Sequence, residues 1–145
     1  MNKNKFISIL VMIMIAAIMC IGCKAKDNTE ADKIVDQGVI EDKEGNKFYL
    51  IKVYGKDDFA SKFEIDDLTQ EQGVAMADYT LGNNGKQSFY YVCEYKGGIV
   101  VYNTDRDVCL FTKKKMEIQD SVSKAAFTIG KTEPMNYEEF EEKIK

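Results

Sequence analysis

The sequence predicts a small single domain of the α+β class, dominated by an antiparallel β-meander, with one central helix and a short C-terminal helix. Three observations carry this reading. Short runs rich in Val, Ile, Tyr and Phe recur between turns built from Gly, Asp and Asn. A capping-box pattern stands near the middle, and a second helix-start signal follows the only proline. The length of 145 residues suits one domain and leaves no room for a multi-domain enzyme.

The elements follow in chain order. Val35–Glu41 and Lys47–Tyr54 are β-rich runs flanking Asp42-Lys43-Glu44-Gly45-Asn46, which reads as the turn of a hairpin. Phe59–Ile65 is a weaker segment, strand or loop. In the stretch Leu68–Leu81, Thr69 and Gln72 fit the ends of a capping box. Val74, Ala77 and Leu81 keep helical spacing, and Gly82 suits the stop, so the spacing favours a helix over 69–81. The run Val74–Leu81 also reads as a strand leading into an Asn83-Asn84-Gly85-Lys86 hairpin, and Gly73 disfavours the helix. Gln87–Tyr95, Ile99–Thr104 and Val108–Lys113 form a three-stranded meander, with turns at Lys96-Gly97-Gly98 and Asp105-Arg106-Asp107. Lys113-Lys114-Lys115 closes it as charged protection of an edge. Ala125–Ile129 is read as a further strand. After Pro134, Asn136 and Glu139 open a helix from Tyr137 to about Lys143.

Apolar residues are unevenly spread. Lys3 and Lys5 precede an almost unbroken apolar run from Phe6 to Gly22, which ends Cys20-Ile21-Gly22-Cys23 before the chain turns polar at Lys24. A basic start, a hydrophobic core and small residues before a cysteine resemble the leader and lipobox of bacterial lipoproteins. The resemblance covers only the first 23 residues, and Cys20 stands where leucine is usual. It implies a signal peptide over 1–22, cleavage by signal peptidase II before Cys23, and a diacylglycerol on Cys23 as the membrane anchor. Residues 23–33 then form a flexible tether and 34–145 the extracytoplasmic domain. Competing readings are an uncleaved single-pass anchor, for which the run is slightly short, and a released secretory product. Cys20-x-x-Cys23 as a redox pair is disfavoured because it lies inside an apolar leader.

Composition narrows the chemistry. The chain has no His, which removes the commonest general base and metal ligand. Its net charge of −4, which becomes −6 once Lys3 and Lys5 are removed, argues against a nucleic-acid partner. An acidic domain is repelled by an anionic bilayer, so contact with lipid is expected through the anchor alone. Two acyl chains hold stably where one does not. All Tyr and every Phe except Phe6 lie beyond the leader, which marks a foldable domain rather than a disordered tail. Arg106 is the only arginine, a Lys bias that points to an AT-rich genome and a Gram-positive source.

Each candidate constellation has a plainer structural reading. With two-residue turns at Gly97-Gly98 and Asp105-Arg106, Cys93 and Cys109 both fall opposite Tyr102, on one face with a strand between them. That separation is about 10 Å, whereas a disulfide needs Cα atoms within about 7 Å. The sequence therefore predicts two buried, unbridged thiols. Asn103, Asp105 and Asp107 begin like a calcium loop, but Val108 and Lys114 stand where Gly and Glu are required, so the segment reads as a polar turn. Asp57-Asp58 and Asp66-Asp67 are read as capping or solvated acids rather than a catalytic pair. Phe89, Tyr91, Cys93 and Tyr95 share one strand face, with Tyr90 and Val92 on the other; packing of both faces is favoured over a stacking platform. Tyr137, Phe140 and Ile144 recur opposite the Glu138, Glu139, Glu141 and Glu142 cluster, as an amphipathic helix requires.

These readings give no catalytic residues, no metal ligands and no cofactor. Cys23 is the one assigned site, as the lipidation site. The expected protein is a lipid-anchored, non-enzymatic binding or accessory module of the cell envelope, on the extracytoplasmic face of the cell membrane. A surface-anchored immunity or inhibitor protein and an uncleaved single-pass membrane protein are the alternatives.

Overall fold

The computed structural model describes residues 32–77 and 87–145, the side chains of residues 74–77 and of Gln87 excepted. Asp32–Lys145 form one compact unit. The leader, Cys23, the tether up to residue 31 and the Asn83–Lys86 hairpin lie outside the described residues.

Seven strands form one antiparallel sheet: β1 (Lys33–Asp36), β2 (Val39–Glu41), β3 (Lys47–Lys52), β4 (Gly73–Ala77), β5 (Gln87–Tyr95), β6 (Gly98–Asn103) and β7 (Val108–Thr112). Their order across the sheet is β1-β2-β3-β7-β6-β5-β4. Three helices complete the α+β fold: α1 (Lys56–Lys62), α2 (Ile118–Thr128) and α3 (Tyr137–Ile144). The chain crosses from β3 to the far edge by way of α1, then meanders back through β4, β5 and β6 until β7 pairs with β3. The expected meander and C-terminal helix are present.

Both faces of the sheet are buried, so the central strands read as nearly continuous apolar runs rather than alternating ones. One face packs Ile51, Tyr91, Cys93, Tyr95, Val100, Tyr102, Cys109 and Phe111 against Phe59 and Phe63 of the α1 segment and Phe140 of α3. Its rings interlock: Phe59 stacks on Tyr102 at 4.5 Å, and Phe140 meets Phe111 edge-on at 5.1 Å. Full burial of a residue such as Phe140 stabilises the fold by about 1.5–3 kcal/mol. The opposite face packs Ile40, Phe48, Leu50, Tyr90, Val101 and Leu110 against Val122, Ala125, Ala126 and Ile129. Those four sit at i, i+3, i+4 and i+7, the apolar stripe of a helix.

Five sequence expectations are corrected. The central helix expected over 69–81 is a single 3-10 turn at Gln70–Gln72 followed by β4. The capping-box contact does form, with the Thr69 N–H donating to the Gln72 side chain at 3.0 Å, but the next five residues pair with β5 instead of continuing the turn. The Phe59–Ile65 segment is helical up to Lys62, because Phe59 and Phe63 lie one turn apart and both reach the core. Ala125–Ile129 is helix rather than strand up to Thr128. Val35–Glu41 is two strands, broken at Gln37-Gly38; β1 begins at Lys33, within the expected tether. Finally, Lys113–Lys115 follows a central strand, because β7 pairs with β3 on one side and β6 on the other.

Turn chemistry explains the remaining difference in register. Lys96 and Gly97 both have positive φ, 42° and 75°, as the centre of a type I′ hairpin turn requires. Tyr95 therefore pairs with Gly98, and Cys93 with Val100 rather than Tyr102. Gly98 belongs to the strand because a Cβ there would stand 2.5 Å from the Thr112 carbonyl oxygen and from the Phe111 ring. The other expected pairing, Tyr102 with Cys109, is present.

Gly38 marks where the C-terminal third meets the sheet. Its carbonyl accepts the Leu50 N–H at 2.6 Å, and Met135 exchanges backbone hydrogen bonds with β3 on both sides, each 2.9 Å. Gly38→Ala and Gly45→Ala separate two costs. Both place a Cβ at positive φ, a penalty of about 1–2 kcal/mol. Only at Gly38 would that Cβ also stand 2.9 Å from the Met135 nitrogen and 3.0 Å from the Leu50 oxygen. Denaturant unfolding is expected to show a clearly larger stability loss for Gly38→Ala; equal losses would mean that the Met135 segment yields freely.

Candidate functional surfaces

Apart from the two buried thiols, the perturbed ionisable groups are each committed to a structural pairing. One cluster joins the β5–β6 turn to α3. A single Glu141 carboxylate oxygen accepts from Lys96 Nζ at 2.7 Å, from the Tyr137 hydroxyl at 3.0 Å and from the Tyr95 hydroxyl at 3.2 Å; the two hydroxyls stand 2.7 Å apart. The hydrogen bonds from Lys96 and then Tyr137 hold the Glu141 carboxyl below its ordinary range. Burial, then the bonds to Tyr95 and Glu141, push the Tyr137 phenol up. Glutamate ionised, lysine charged and the Tyr137 phenol neutral make a latch that ties α3 to the sheet.

A second cluster closes the β2–β3 turn. Asp42 accepts the Asn46 backbone and side-chain N–H groups and the Glu44 N–H, and Lys114 reaches its other oxygen at 3.3 Å. Burial alone would raise the Asp42 carboxyl, but the bonds from Asn46, Lys114 and Glu44 outweigh it and bring it to about 2. Where the chain enters the fold, Asp32 accepts from Lys124 of α2 and from Lys131, both at 2.7 Å.

The sequence candidates fall into place around these clusters. Cys93 and Cys109 are free and buried on the aromatic face of the sheet. Burial pushes the Cys93 thiol up to about 11 and the Cys109 thiol well above its ordinary value, so neither offers a thiolate nucleophile near neutral pH. The Asn103–Asp107 segment is a polar turn: Asn103 Oδ1 accepts the N–H groups of Asp105 and Arg106 at 2.9 and 3.0 Å, while Asp107 accepts the Tyr102 hydroxyl at 2.7 Å. Asp57 and Asp58 occupy the first turn of α1, where Asp58 accepts the Tyr54 N–H at 2.7 Å and pairs with Lys62. The structure does not bring them to Asp66 and Asp67 as a set of metal ligands; among the described residues no group of three or more acids and thiols is placed to hold a metal ion. Tyr91, Cys93 and Tyr95 face one core and Tyr90 the other, so this aromatic strand is packed on both sides. Among the described residues, no helix is long and apolar enough to cross a membrane.

Two features went unread in the sequence. The first is a division of charge between the two helical layers. Residues 56–72 and 137–145, which flank the aromatic face, carry ten acidic side chains against four lysines. Residues 113–131, on the other side of the sheet, carry five lysines against Glu117 and Asp120, and three of those lysines, Lys114, Lys124 and Lys131, are ion-paired with Asp42, Glu44 and Asp32. The second is a surface on that basic layer. A shallow cleft of about 610 Å³ runs along α2 past Met116, Lys124 and Phe127. It meets a second cleft of about 530 Å³ at Lys114–Met116. Phe127 is 55% exposed and Ile118 53%. The signal for both was the helical spacing of Val122, Ala125, Ala126 and Ile129, which turns Phe127 outward once residues 118–128 are read as one helix.

Comparison with known protein families, with curated proteins and with solved structures finds no match to this chain. The functional reading therefore rests on the residues themselves.

The thiol assignment is tested by titration with a soluble disulfide reagent. Cys93 and Cys109 are expected to be unreactive in the folded protein and both to react after denaturation without reductant. No titratable thiol at those positions in the denatured protein would mean a bridge, and with it a different strand register.

Proposed function

We propose that the chain is a bacterial lipoprotein, anchored through a diacylglycerol on Cys23, whose small α+β domain serves as a non-enzymatic binding or accessory module on the extracytoplasmic face of the cell membrane. One observation carries the reading. A lipobox-like Cys20-Ile21-Gly22-Cys23 ends an apolar run behind Lys3 and Lys5, and a compact folded unit begins at Asp32, nine positions later. Eight residues separate the anchor from the fold, a span of at most about 3.3–3.6 Å each. The domain is thus held within about 30 Å of the bilayer surface.

The latch at Glu141 and the turn at Asp42 support a module that presents surfaces rather than performing chemistry, since their carboxylates are occupied in holding the fold. A second reading, an immunity or inhibitor protein anchored to intercept a toxin or hydrolase, draws on the acidic layer formed by residues 56–72 and 137–145. Such a surface suits a basic target.

The anchor is tested with Cys23→Ala in the source cell or a bacterial host. The wild-type chain is expected to fractionate with membranes and to incorporate labelled fatty acid. The variant is expected to lose the label and to accumulate unprocessed. A variant processed and sedimenting like the wild type would overturn the assignment.

A further inference from the structure

The first strand of the sheet is attached differently from its neighbour. All four residues of β1 are exposed, the apolar Ile34 and Val35 included. The strand lies at the edge of the sheet, where it pairs only with β2, and a bulge between Ile34 and Asp36 interrupts that ladder. The adjoining β2 instead buries Val39 in the aromatic core and Ile40 in the opposite one. Apolar burial is the dominant favourable term in holding an element to a fold, and β1 has little of it. The boundary falls at Gln37-Gly38. There the Gly38 carbonyl accepts the Leu50 N–H, which fixes the turn on the β2 side.

Ion pairs take the place of burial. Asp32, one residue before β1, accepts from Lys124 of α2 and from Lys131, both at 2.7 Å. Asp36, the last residue of β1, accepts from Lys143 of α3 at 2.8 Å. Two carboxylates four positions apart thus tie one short strand to both helical layers, α2 over one face of the sheet and α3 over the other. The two ends are unequal. The Asp36 side chain is 57% exposed, against 17% for Asp32. Exposed ion pairs are weak and salt screens them, so the Asp36 end is the looser one.

We propose that β1 is a releasable clasp, a strand that leaves β2 as a unit while the rest of the fold stays intact, with its release governed by the ion pairs at Asp36 and Asp32. When closed, it joins α2 to α3 around the edge of the sheet. Release frees Lys124, Lys131 and Lys143 and bares the outer edge of β2. Because Asp36 is the more exposed partner, ionic strength acts on the clasp chiefly at that end. The device is a property of the folded domain, with or without an anchor at Cys23.

Native-state hydrogen exchange on the full chain, read at the amides that β1 and β2 share, tests the clasp. In the wild type these amides are expected to exchange through a far more frequent opening than those of β3, β6 and β7, and faster still as sodium chloride is raised. Asp36→Asn is expected to speed their exchange by about two- to fivefold and to remove most of the response to salt, with the denaturant midpoint nearly unchanged. The double variant Asp32→Asn/Asp36→Asn is expected to exchange faster again. Three outcomes overturn the proposal: shared β1–β2 amides that open only together with β3, β6 and β7; exchange that neither salt nor Asp36→Asn alters; or a loss of global stability in Asp36→Asn as large as its loss of β1 protection, which would make β1 an integral part of the sheet.

Discussion

The structure depends on one constraint: its central strands are apolar on both faces, so the sheet is stable only when helices cover both. In β7, Cys109 and Phe111 point to one core while Leu110 points to the other. An antiparallel sheet with one solvated face alternates apolar and polar residues; this one does not. Among the described residues, three helices meet the requirement, divided between the two faces. The α1 segment covers the aromatic face on the way from β3 to β4. Once β7 has closed the sheet, α2 covers the other face, and α3 then returns to the first. The crossing back is fixed at Met135, whose backbone binds both Leu50 and Lys52 beside the glycine at position 38. The remaining polar groups serve this arrangement. Glu141 latches α3 to the β5–β6 turn, and Asp32 ties the start of the fold to α2.

Much of the sheet was readable in the sequence, and the reasons for the rest are local. The strands β5, β6 and β7 are bounded by strong turn residues and match the expected runs to within one residue. The β2–β3 hairpin follows from Asp42–Asn46, and α3 from Asn136 and Glu139. The central helix failed because two signals competed. The capping box at Thr69 is worth about 1 kcal/mol, enough for a single turn, whereas the strand that follows forms five residue pairs with β5. The helices α1 and α2 were missed for another reason. Seven residues give little periodicity, and in α2 the alanines that allow close approach to Val101 and Leu110 carry a weak apolar signal. The Gly97-Gly98 pair misled the register because two adjacent glycines serve different ends, Gly97 the positive φ of the turn and Gly98 the closeness of β7.

The candidate sites divide along the same line. The proposed lipidation site at Cys23 rests on a linear pattern, the kind of signal a sequence carries by itself. The Asn103–Asp107 turn was legible from its polar residues, and the two unbridged thiols from the strand that lies between them, although Cys93 stands two residues from its expected pairing. The charge division between helical layers was not, since it exists only after residues 113–131 are placed on one side of the sheet and residues 56–72 and 137–145 on the other. Net charge is a property of the list of residues, and its distribution over a surface is a property of their placement.

Native-state hydrogen exchange on the full chain tests the central constraint most directly, because it resolves which elements open together. If the sheet requires cover on both faces, the interior amides of α2 and those of β3, β6 and β7 exchange only through one shared opening with the same free energy. If α2 instead exchanges through a much smaller opening while β3, β6 and β7 stay protected, the sheet is stable with that face bare, and the account given for the fold is contradicted.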